Sequence, residues 1–310
     1  IRPVHRAYEL VFRVYDPGWQ FPRTTQVYAR SVVLAAGAIG TTRLLLQNRQ
    51  SLPDISDTIG GRFNGNGDML GFVSTAERDF KPSYGPVITQ AIHREEAGHE
   101  FLLEDGGFPL FLEWLLRFQQ GSSLSEIARA AAILRQYVSQ RFRRDNGARY
   151  SGALADLLGR KTNFPQTFPL LAMGRDMNFG RLYLREGRLR LDWSYRNSHS
   201  YFKAVTRAMR NVASQLGGTY KSNPAGILSK AISVHPLGGC SMGSNPKEGV
   251  VSKRGQVFGY PGLFIADGSV LPGPVGVNPA LTIAAVANYI SDNIIEYLNQ
   301  RRKKDENNEQ

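Results

Sequence analysis

One short segment limits the possible folds of this chain more than any other, the apolar run at residues 31–37. It reads Ser-Val-Val-Leu-Ala-Ala-Gly and is followed by a glycine turn and by the helix-forming Arg-Leu-Leu-Leu at 43–46. A continuous apolar run of this length is typical of a strand buried on both faces. Extended stretches at 8–14 and 26–34 flank an Asp-Pro-Gly turn at 16–18. The sequence therefore predicts two joined strands, a glycine turn and a helix, as in an α/β fold.

The composition is that of a globular protein with a sizeable core. The chain has 310 residues, of which 42% are apolar and 21% charged. No apolar run approaches the roughly 18–20 residues of a membrane span, and the first twenty residues are too charged for a signal peptide. The single cysteine, Cys240, fits a reducing compartment, so we expect a cytoplasmic location. The first residue is Ile1 rather than Met, and the chain begins within an expected strand. We therefore also expect this chain to be a piece of a longer polypeptide.

The net charge of +12 raises the question of an anionic partner. Lys and Arg are scattered, with local concentrations only at 141–144 and 301–304, and no nucleic-acid motif accompanies them. Solvated basic faces explain this pattern best, so no nucleic acid is expected as a partner. A weak, transient contact with an anionic membrane surface stays open.

Glycine and asparagine at 60–68 are too dense for a regular element and predict a boundary. We expect residues 1–68 and 231–300 to form an incomplete, doubly wound FAD-binding domain and 69–230 a substrate domain with an antiparallel sheet and helices. The overall class is then α/β, or α+β for the whole chain. The polar segment 301–310 is expected to be a disordered tail.

Within the middle region, three elements can be predicted from local pattern. A capping box at Ser123 opens an amphipathic helix, alternation at 182–193 indicates a hairpin, and Ser200 caps a second helix that ends at Gly217. The aromatic and aliphatic stretch at 101–118 is either ordinary core or the lining of an apolar pocket.

The last quarter of the chain carries the chemistry. His235 lies between an apolar residue and a proline and is followed at once by glycines, a setting that fixes its backbone and admits a close neighbour. Asn278-Pro279 opens an apolar run to residue 290 that predicts a buried helix, whose free amides would suit an anion or an electron-rich ring. A buried strand at 263–266 ends in Asp267-Gly268. These residues alone predict a cofactor site of undetermined type and no metal site.

The segment 235–283 resembles the C-terminal signature of the glucose-methanol-choline (GMC) oxidoreductases. His-Pro-Leu-Gly-Gly-Cys at 235–240 and Val-Gly-Val-Asn-Pro at 275–279 are similar to the cholesterol oxidase branch in particular. Residues 30–46 resemble the second flavin-domain segment of the family, and 64–68 resemble the Asn-Gly motif that follows. The resemblance covers about the first 70 and the last 75 residues.

That resemblance implies an FAD cofactor and assigns a role to each matching residue. His235 would lie beside the flavin N5 and the substrate hydroxyl, and Asn278 would be the second polar partner of that hydroxyl. General acid-base chemistry at His235 and a helix N-terminus facing the flavin agree with these roles. The residues implied in cofactor binding are Ala36, Gly37, Asp267, Gly268, Asn278, Pro279 and Ala280.

Two departures from the family pattern narrow the prediction. The Gly-x-Gly-x-x-Gly turn that binds the ADP half of the cofactor occurs nowhere in the chain, which a missing N-terminal part would explain. Residues 162–175, where an acidic base would be expected, contain no Asp or Glu, and only Glu104, Asp105 and Asp176 are nearby. The resemblance therefore supports alcohol oxidation more than sterol isomerisation.

Two functions from different classes follow. The first is part of an FAD-dependent oxidase or dehydrogenase acting on the CH-OH group of a bulky apolar alcohol, a sterol or a long-chain alcohol. The second is a non-catalytic module that binds an apolar ligand or a membrane surface. His235 and Asn278 together within intact motifs favour the enzyme. Neither the oligomeric state nor the electron acceptor follows from the sequence.

Overall fold

The computed structural model describes residues 1–15, 21–74, 79, 80, 82, 84–107, 167–176, 180–222 and 233–308. The helix predicted from Ser123, the turn at 16–18 and the aromatic stretch beyond Gly107 lie outside these residues.

The chain begins with a three-stranded antiparallel sheet, formed by β1 (Arg2–Val4), β2 (Ala7–Val14) and β3 (Arg23–Ala29) in that order. β2 and β3 pair in register from Tyr8 opposite Ala29 to Val14 opposite Arg23. The first predicted strand is therefore confirmed as β2, with β1 as an added edge strand. The second, predicted over 26–34, is wrong as a single strand, because the chain bends at Arg30 and Ser31 and divides it into β3 and a separate strand at Val32–Leu34.

The apolar run forms β4 (Val32–Leu34), and α1 (Gly37–Gln47) follows it directly. The last strand of the chain, β12 (Leu263–Ile265), pairs parallel with β4. Val32 and Leu34 are buried in a core that α1 and β12 share, but the side chain of Val33 is 47% exposed. The prediction of burial on both faces is thus wrong for Val33, because the described chain covers only one face of the strand.

A five-stranded antiparallel sheet occupies the middle of the chain, in the order β11-β5-β8-β7-β6. Its strands are β5 (Met69–Ser74), β6 (Ala91–Glu96), β7 (His99–Asp105), β8 (Phe168–Gly174) and β11 (Thr219–Ser222). Helix α2 (His199–Gln215) packs on one face, where Phe101 and Leu103 bury against Val205 and Met209. Phe101 and Leu103, part of the aromatic stretch, are therefore core residues.

The predicted hairpin is confirmed as β9 (Arg181–Arg185) and β10 (Arg188–Asp192). Glu186 and Gly187 form its two-residue turn with φ of 54° and 71°, as a type I′ turn requires.

The final helix, α3 (Ala280–Asn308), corrects two expectations. It includes residues 301–308, which were expected to be disordered. Arg301 donates to the carbonyl oxygens of Arg30 and Arg6, and Asp305 pairs with Arg30, so side-chain contacts hold this end against the N-terminal sheet. The start of the helix is not buried as expected, since Leu281 is 85% exposed.

These elements confirm the mixed α/β class, with antiparallel sheets beside a parallel strand pair. Within the described part of the chain, no helix combines the length and apolar content needed to cross a membrane. The division into domains at 68 and 230 stays a prediction.

Candidate active site

His235 is held by a single buried carboxylate. Its ring nitrogen Nδ1 lies 2.9 Å from Asp68 Oδ1, and its backbone amide donates to Asp68 Oδ2 at 2.9 Å. The amide of Val234 and the hydroxyl of Ser233 donate to the same Oδ2, at 2.7 and 3.0 Å. The side chain of Asp68 is only 1% exposed, whereas that of His235 is 19% exposed. The ring is therefore anchored at one nitrogen and partly open elsewhere.

The loop at 64–68 brings the distant segments of the site together. The backbones of Asn64 and Leu237 exchange two hydrogen bonds of 3.0 Å each. The side chain of Asn66 accepts from the amides of Val275 and Gly276 and donates to the carbonyl of Val277, each at 2.9 Å. One side of this loop thus positions His235 and the other positions Asn278.

Close backbone approach explains the glycines of this loop. Gly67 has φ of 68°, and a Cβ at this position would lie 2.4 Å from the carbonyl oxygen of Gly174. Gly65 packs against the ring of Trp193, where a Cβ would lie 2.6 Å from the nearest carbon. Any larger residue at either position would displace the loop and with it Asp68.

Asn278 contacts Glu104, a carboxyl group on β7. Its Nδ2 donates to Glu104 Oε1 at 2.7 Å. Glu104 is 3% exposed, and its Oε2 has no hydrogen-bond partner among the described residues. Burial raises the pKa of Glu104, while the bond from Asn278 and the nearby His235 act in the opposite direction. Glu104 is therefore a neighbour of both predicted catalytic residues.

Asp176 is a further buried carboxyl group beside the loop. Both of its oxygens are buried, and the backbone amides of Gly65 and Gly67 are close enough to lower its pKa in part. Burial raises the pKa of Asp176 from 3.8 to about 6, and the negative charge of Asp68 adds to this effect. The proton of this carboxyl group is thus lost near pH 6, much later than for an exposed Asp.

The predicted cofactor residues meet at the ends of β4 and β12. Asp267 Oδ2 accepts from the amide of Gly37 at 2.9 Å and from the hydroxyl of Thr41, and Oδ1 accepts from the amide of Ser269. Asp267 therefore fastens the start of α1 to the end of β12, and three of its acceptor positions are already in use. Gly268 lies next to it, and its carbonyl oxygen accepts a hydrogen bond of 3.0 Å from the amide of Gly238.

The open edge of this region is formed by backbone. A Cβ on Gly37, whose φ is 76°, would meet no atom within 4 Å. Ala36 precedes it. α3 begins at Ala280, directly after Pro279, and its first amide groups have no partner within the helix. No contact that the structure contains tests whether these residues bind a cofactor.

A row of half-buried leucines lies on the same face of the sheet as Glu104. Leu171 on β8 is directly opposite both Leu70 and Glu104, and Leu102 is two residues from Glu104 on β7. Residues two apart on a strand share a face. This face is therefore apolar around the polar pair Glu104 and Asn278, and α2 covers the other face.

Sequence reasoning identified His235 and Asn278 but missed their carboxylate partners. Asp68 was counted only as the last residue of a motif, and Glu104 only as one of three nearby substitutes for an acidic base. Two sequence signals could have identified these partners: a lone Asp that ends a Gly-Asn loop, and a Glu that follows an apolar Phe-Leu-Leu run in a strand.

Known proteins match this chain in both sequence and fold. The family model for GMC oxidoreductase matches residues 179–287. Cholesterol oxidase from Acinetobacter baumannii is 26% identical over 83% of this chain and 46% of its own length. The cholesterol oxidase of Mycobacterium tuberculosis is 27% identical over 84% of this chain and 45% of its own. Long-chain-alcohol oxidase FAO4B of Arabidopsis thaliana is 42% identical over 23% of this chain and 10% of its own. The chain thus spans less than half the length of these curated relatives.

Two solved structures share the fold. Pyridoxine 4-oxidase from Mesorbium loti superposes with a TM-score of 0.54 at 16% identity, over 93% of this chain and 54% of its own. Formate oxidase from Aspergillus oryzae superposes with a TM-score of 0.54 at 15% identity, over 88% of this chain and 55% of its own. The C-terminal part of the chain, residues 179–287, therefore matches the GMC oxidoreductase family model, and the solved structures show a shared fold.

Proposed function

We propose that these residues form the substrate side and the flavin-facing part of an FAD-dependent alcohol oxidoreductase. The proposed reaction moves a hydride from the CH-OH group of a bulky apolar alcohol to FAD. One observation carries the proposal: His235 and Asn278 are each hydrogen-bonded to a buried carboxylate, and a single loop positions both. Because the relatives are about twice as long, we propose that the chain is the C-terminal portion of such an enzyme.

The open backbone edge fits the flavin part of this cofactor. Ala36, Gly37 and Gly268 carry no bulky side chain that would block a cofactor, and the start of α3 at Ala280, directly after Pro279, offers amides without an intrahelical partner and a positive helix dipole. Asp267 would act through Gly37 and Ser269, which it already holds. When bound, FAD supplies the acceptor for the hydride.

The side chains of this chain handle the proton and the oxygen of the alcohol. Nε2 is the ring nitrogen of His235 that Asp68 leaves without a partner, and it accepts the hydroxyl proton. The second N–H of Asn278 can donate to the same oxygen, since the first is bound to Glu104. The two residues therefore hold the hydroxyl and remove its proton.

The surroundings favour an apolar substrate. Leu70, Leu102 and Leu171 lie on the sheet face that carries Glu104, and each buried sugar hydroxyl would need a polar partner that these residues cannot provide. The names of the relatives point to sterols and long-chain alcohols as well.

A panel of alcohols tests the proposal on the holoenzyme made from the complete coding region that contains these residues. We expect anaerobic flavin bleaching with sterols or long-chain primary and secondary alcohols, and far slower bleaching with glucose or choline. Preference for glucose or choline would overturn the apolar assignment, and no bleaching with any alcohol would overturn alcohol oxidation itself.

A cavity of about 440 Å³ supports the second candidate function, binding of an apolar ligand without catalysis. Phe80, Val87, Leu103, Phe168 and Leu216 are among its lining residues, on the side of the sheet that α2 covers. Glu104 also lines this cavity, but His235 and Asn278 do not, so ligand binding there should not respond to His235→Ala. Ligand affinity that is unchanged in this variant, together with no flavin reduction in the parent protein, would favour the binding module.

Cytoplasmic location and weak contact with anionic membranes also remain proposals. Cell fractionation and vesicle sedimentation with and without anionic lipid test them.

A further inference from the structure

Asp68 makes four hydrogen-bonding contacts to the segment 233–235, which includes His235. Its Oδ1 faces Nδ1 of the ring at 2.9 Å, and its Oδ2 receives the amides of Val234 and His235 and the hydroxyl of Ser233. The carboxylate thus binds the ring and its backbone at once, at a position that is 1% exposed.

The chemistry of a carboxylate determines which ring nitrogen carries the hydrogen. An ionised carboxylate can only accept, so the Nδ1 that faces it must donate. In the neutral imidazole, Nε2 is then the nitrogen with the free lone pair. Nε2 has no partner assigned among the described residues, and 19% of the side chain is exposed.

We propose that Asp68 is the positioning residue of His235: it fixes the Nδ1–H tautomer so that Nε2 accepts the hydroxyl proton of the alcohol. This inference rests on the proposed alcohol oxidation, and it assigns to Asp68 no direct contact with substrate. In the proposed step, the O–H bond of the alcohol breaks and its proton goes to Nε2, while the carbon that carries the hydroxyl group loses a hydride to FAD.

The charged groups around the ring agree with this role. Glu104 faces His235 from β7, and Asp176 lies near Asp68. Within the part of the chain that the structure describes, Asp68 alone is hydrogen-bonded to the ring. Glu104 instead holds Asn278, so the two buried carboxylates fix the two polar partners of the hydroxyl separately.

Asp68→Asn is the decisive variant, because it keeps the shape of the side chain. The asparagine side chain has a single carbonyl oxygen, which the backbone amides of Val234 and His235 require. Its NH₂ group should therefore face the ring, so that Nδ1 becomes the acceptor. Nε2 then carries the hydrogen and cannot take up a proton. By analogy with the triad of serine proteases, we expect kcat to fall about a thousandfold or more, with KM within about threefold and flavin content unchanged.

Ser233→Ala is the matched control, since it removes a donor to the same Asp68 oxygen without touching the ring. We expect kcat within about tenfold of the parent and an unchanged tautomer. A loss as large as that of Asp68→Asn would show that the contacts of Asp68 are merely structural and would overturn the proposal.

The tautomer itself is read from long-range ¹H–¹⁵N correlation spectra of the holoenzyme labelled at histidine, with His235→Gln for assignment. We expect hydrogen on Nδ1 in the parent and on Nε2 in Asp68→Asn. Hydrogen on Nε2 in the parent overturns the proposal even if the variant does not fold. If no alcohol reduces the parent enzyme, the proposed function fails while the spectra still decide the role of Asp68.

Discussion

At the scale of single residues, the site depends on partners that are far apart in sequence. His235 and Asp68 are 167 positions apart, and Asn278 and Glu104 are 174 apart. The motif around His235 could be identified because it is contiguous. The carboxylates could not, because only the register of β7, β8 and β5 and the course of the 64–68 loop bring them to the site.

Replacing His235 by Ala should reduce kcat by roughly a hundredfold or more, the range for loss of a general acid-base group. Flavin should stay bound, since the contacts of the open backbone edge do not involve the ring. Steady-state kinetics and the flavin-to-protein absorbance ratio measure the two effects. His93→Ala, an exposed histidine on β6, serves as the control. Equal turnover in the parent and His235→Ala would remove the ring from the chemistry.

Asp176 should make the stability of the protein depend on pH. Its pKa is about 6 in the folded state against 3.8 for an Asp in water, so the native state binds more protons between these values. The free energy of unfolding therefore falls as pH rises from about 4 to about 6, by at most about 3 kcal/mol, and changes little above.

Asp176→Asn should flatten this dependence in urea unfolding curves recorded from pH 4.5 to 7.5, whereas the exposed Asp192→Asn should keep it. Identical slopes for the parent and Asp176→Asn would show that burial does not shift this carboxyl group.

At the scale of elements, the sequence was sufficient to predict those elements whose contacts lie close together in the chain. The hairpin at 182–193 was predicted because its turn and its alternation are adjacent in sequence. The strand order β11-β5-β8-β7-β6 was not, since it depends on pairings across long stretches of chain. The helical residues 301–308 were missed because Arg301 reaches carbonyl oxygens near the N-terminus, which composition cannot show.

The glycine turn after His235 should be sensitive to the smallest added side chain. A Cβ on Gly238 would lie 2.1 Å from the carbonyl oxygen of Arg62, and its φ is 79°. Gly98 has φ of 76° but no atom within 4 Å of a Cβ. Gly98→Ala should therefore cost about 1–2 kcal/mol for the left-handed backbone alone. Gly238→Ala should lose about 2 kcal/mol more, or fail to fold. Denaturant unfolding of both variants compares them, and equal losses would contradict the close approach.

At the scale of the whole molecule, the open backbone edge that we propose for the flavin is present among the described residues, but the sequence contains no Gly-x-Gly-x-x-Gly turn for the ADP half of FAD. Val33, Ile39 and Leu44 are exposed beside this edge. Under the proposal that the chain is the C-terminal portion of a longer enzyme, the N-terminal portion would cover these residues and supply the pyrophosphate contacts.

The isolated 310-residue chain should therefore bind FAD poorly or not at all. Gel filtration with excess FAD, followed by an absorbance spectrum, measures the flavin retained, and the complete enzyme is the control. A stoichiometric yellow spectrum from the isolated chain would refute this expectation.

The parallel pairing of β4 with β12 also has a consequence for biosynthesis. Val32 pairs with Leu263, and the intervening chain of roughly 230 residues must emerge from the ribosome first. At about 5–20 residues per second, β4 and α1 wait on the order of 10–50 seconds for their partner strand. Closing a loop of this length costs roughly 5 kcal/mol of chain entropy. Prior folding of the five-stranded sheet would shorten that loop, so the middle of the chain is expected to fold before the ends that enclose it.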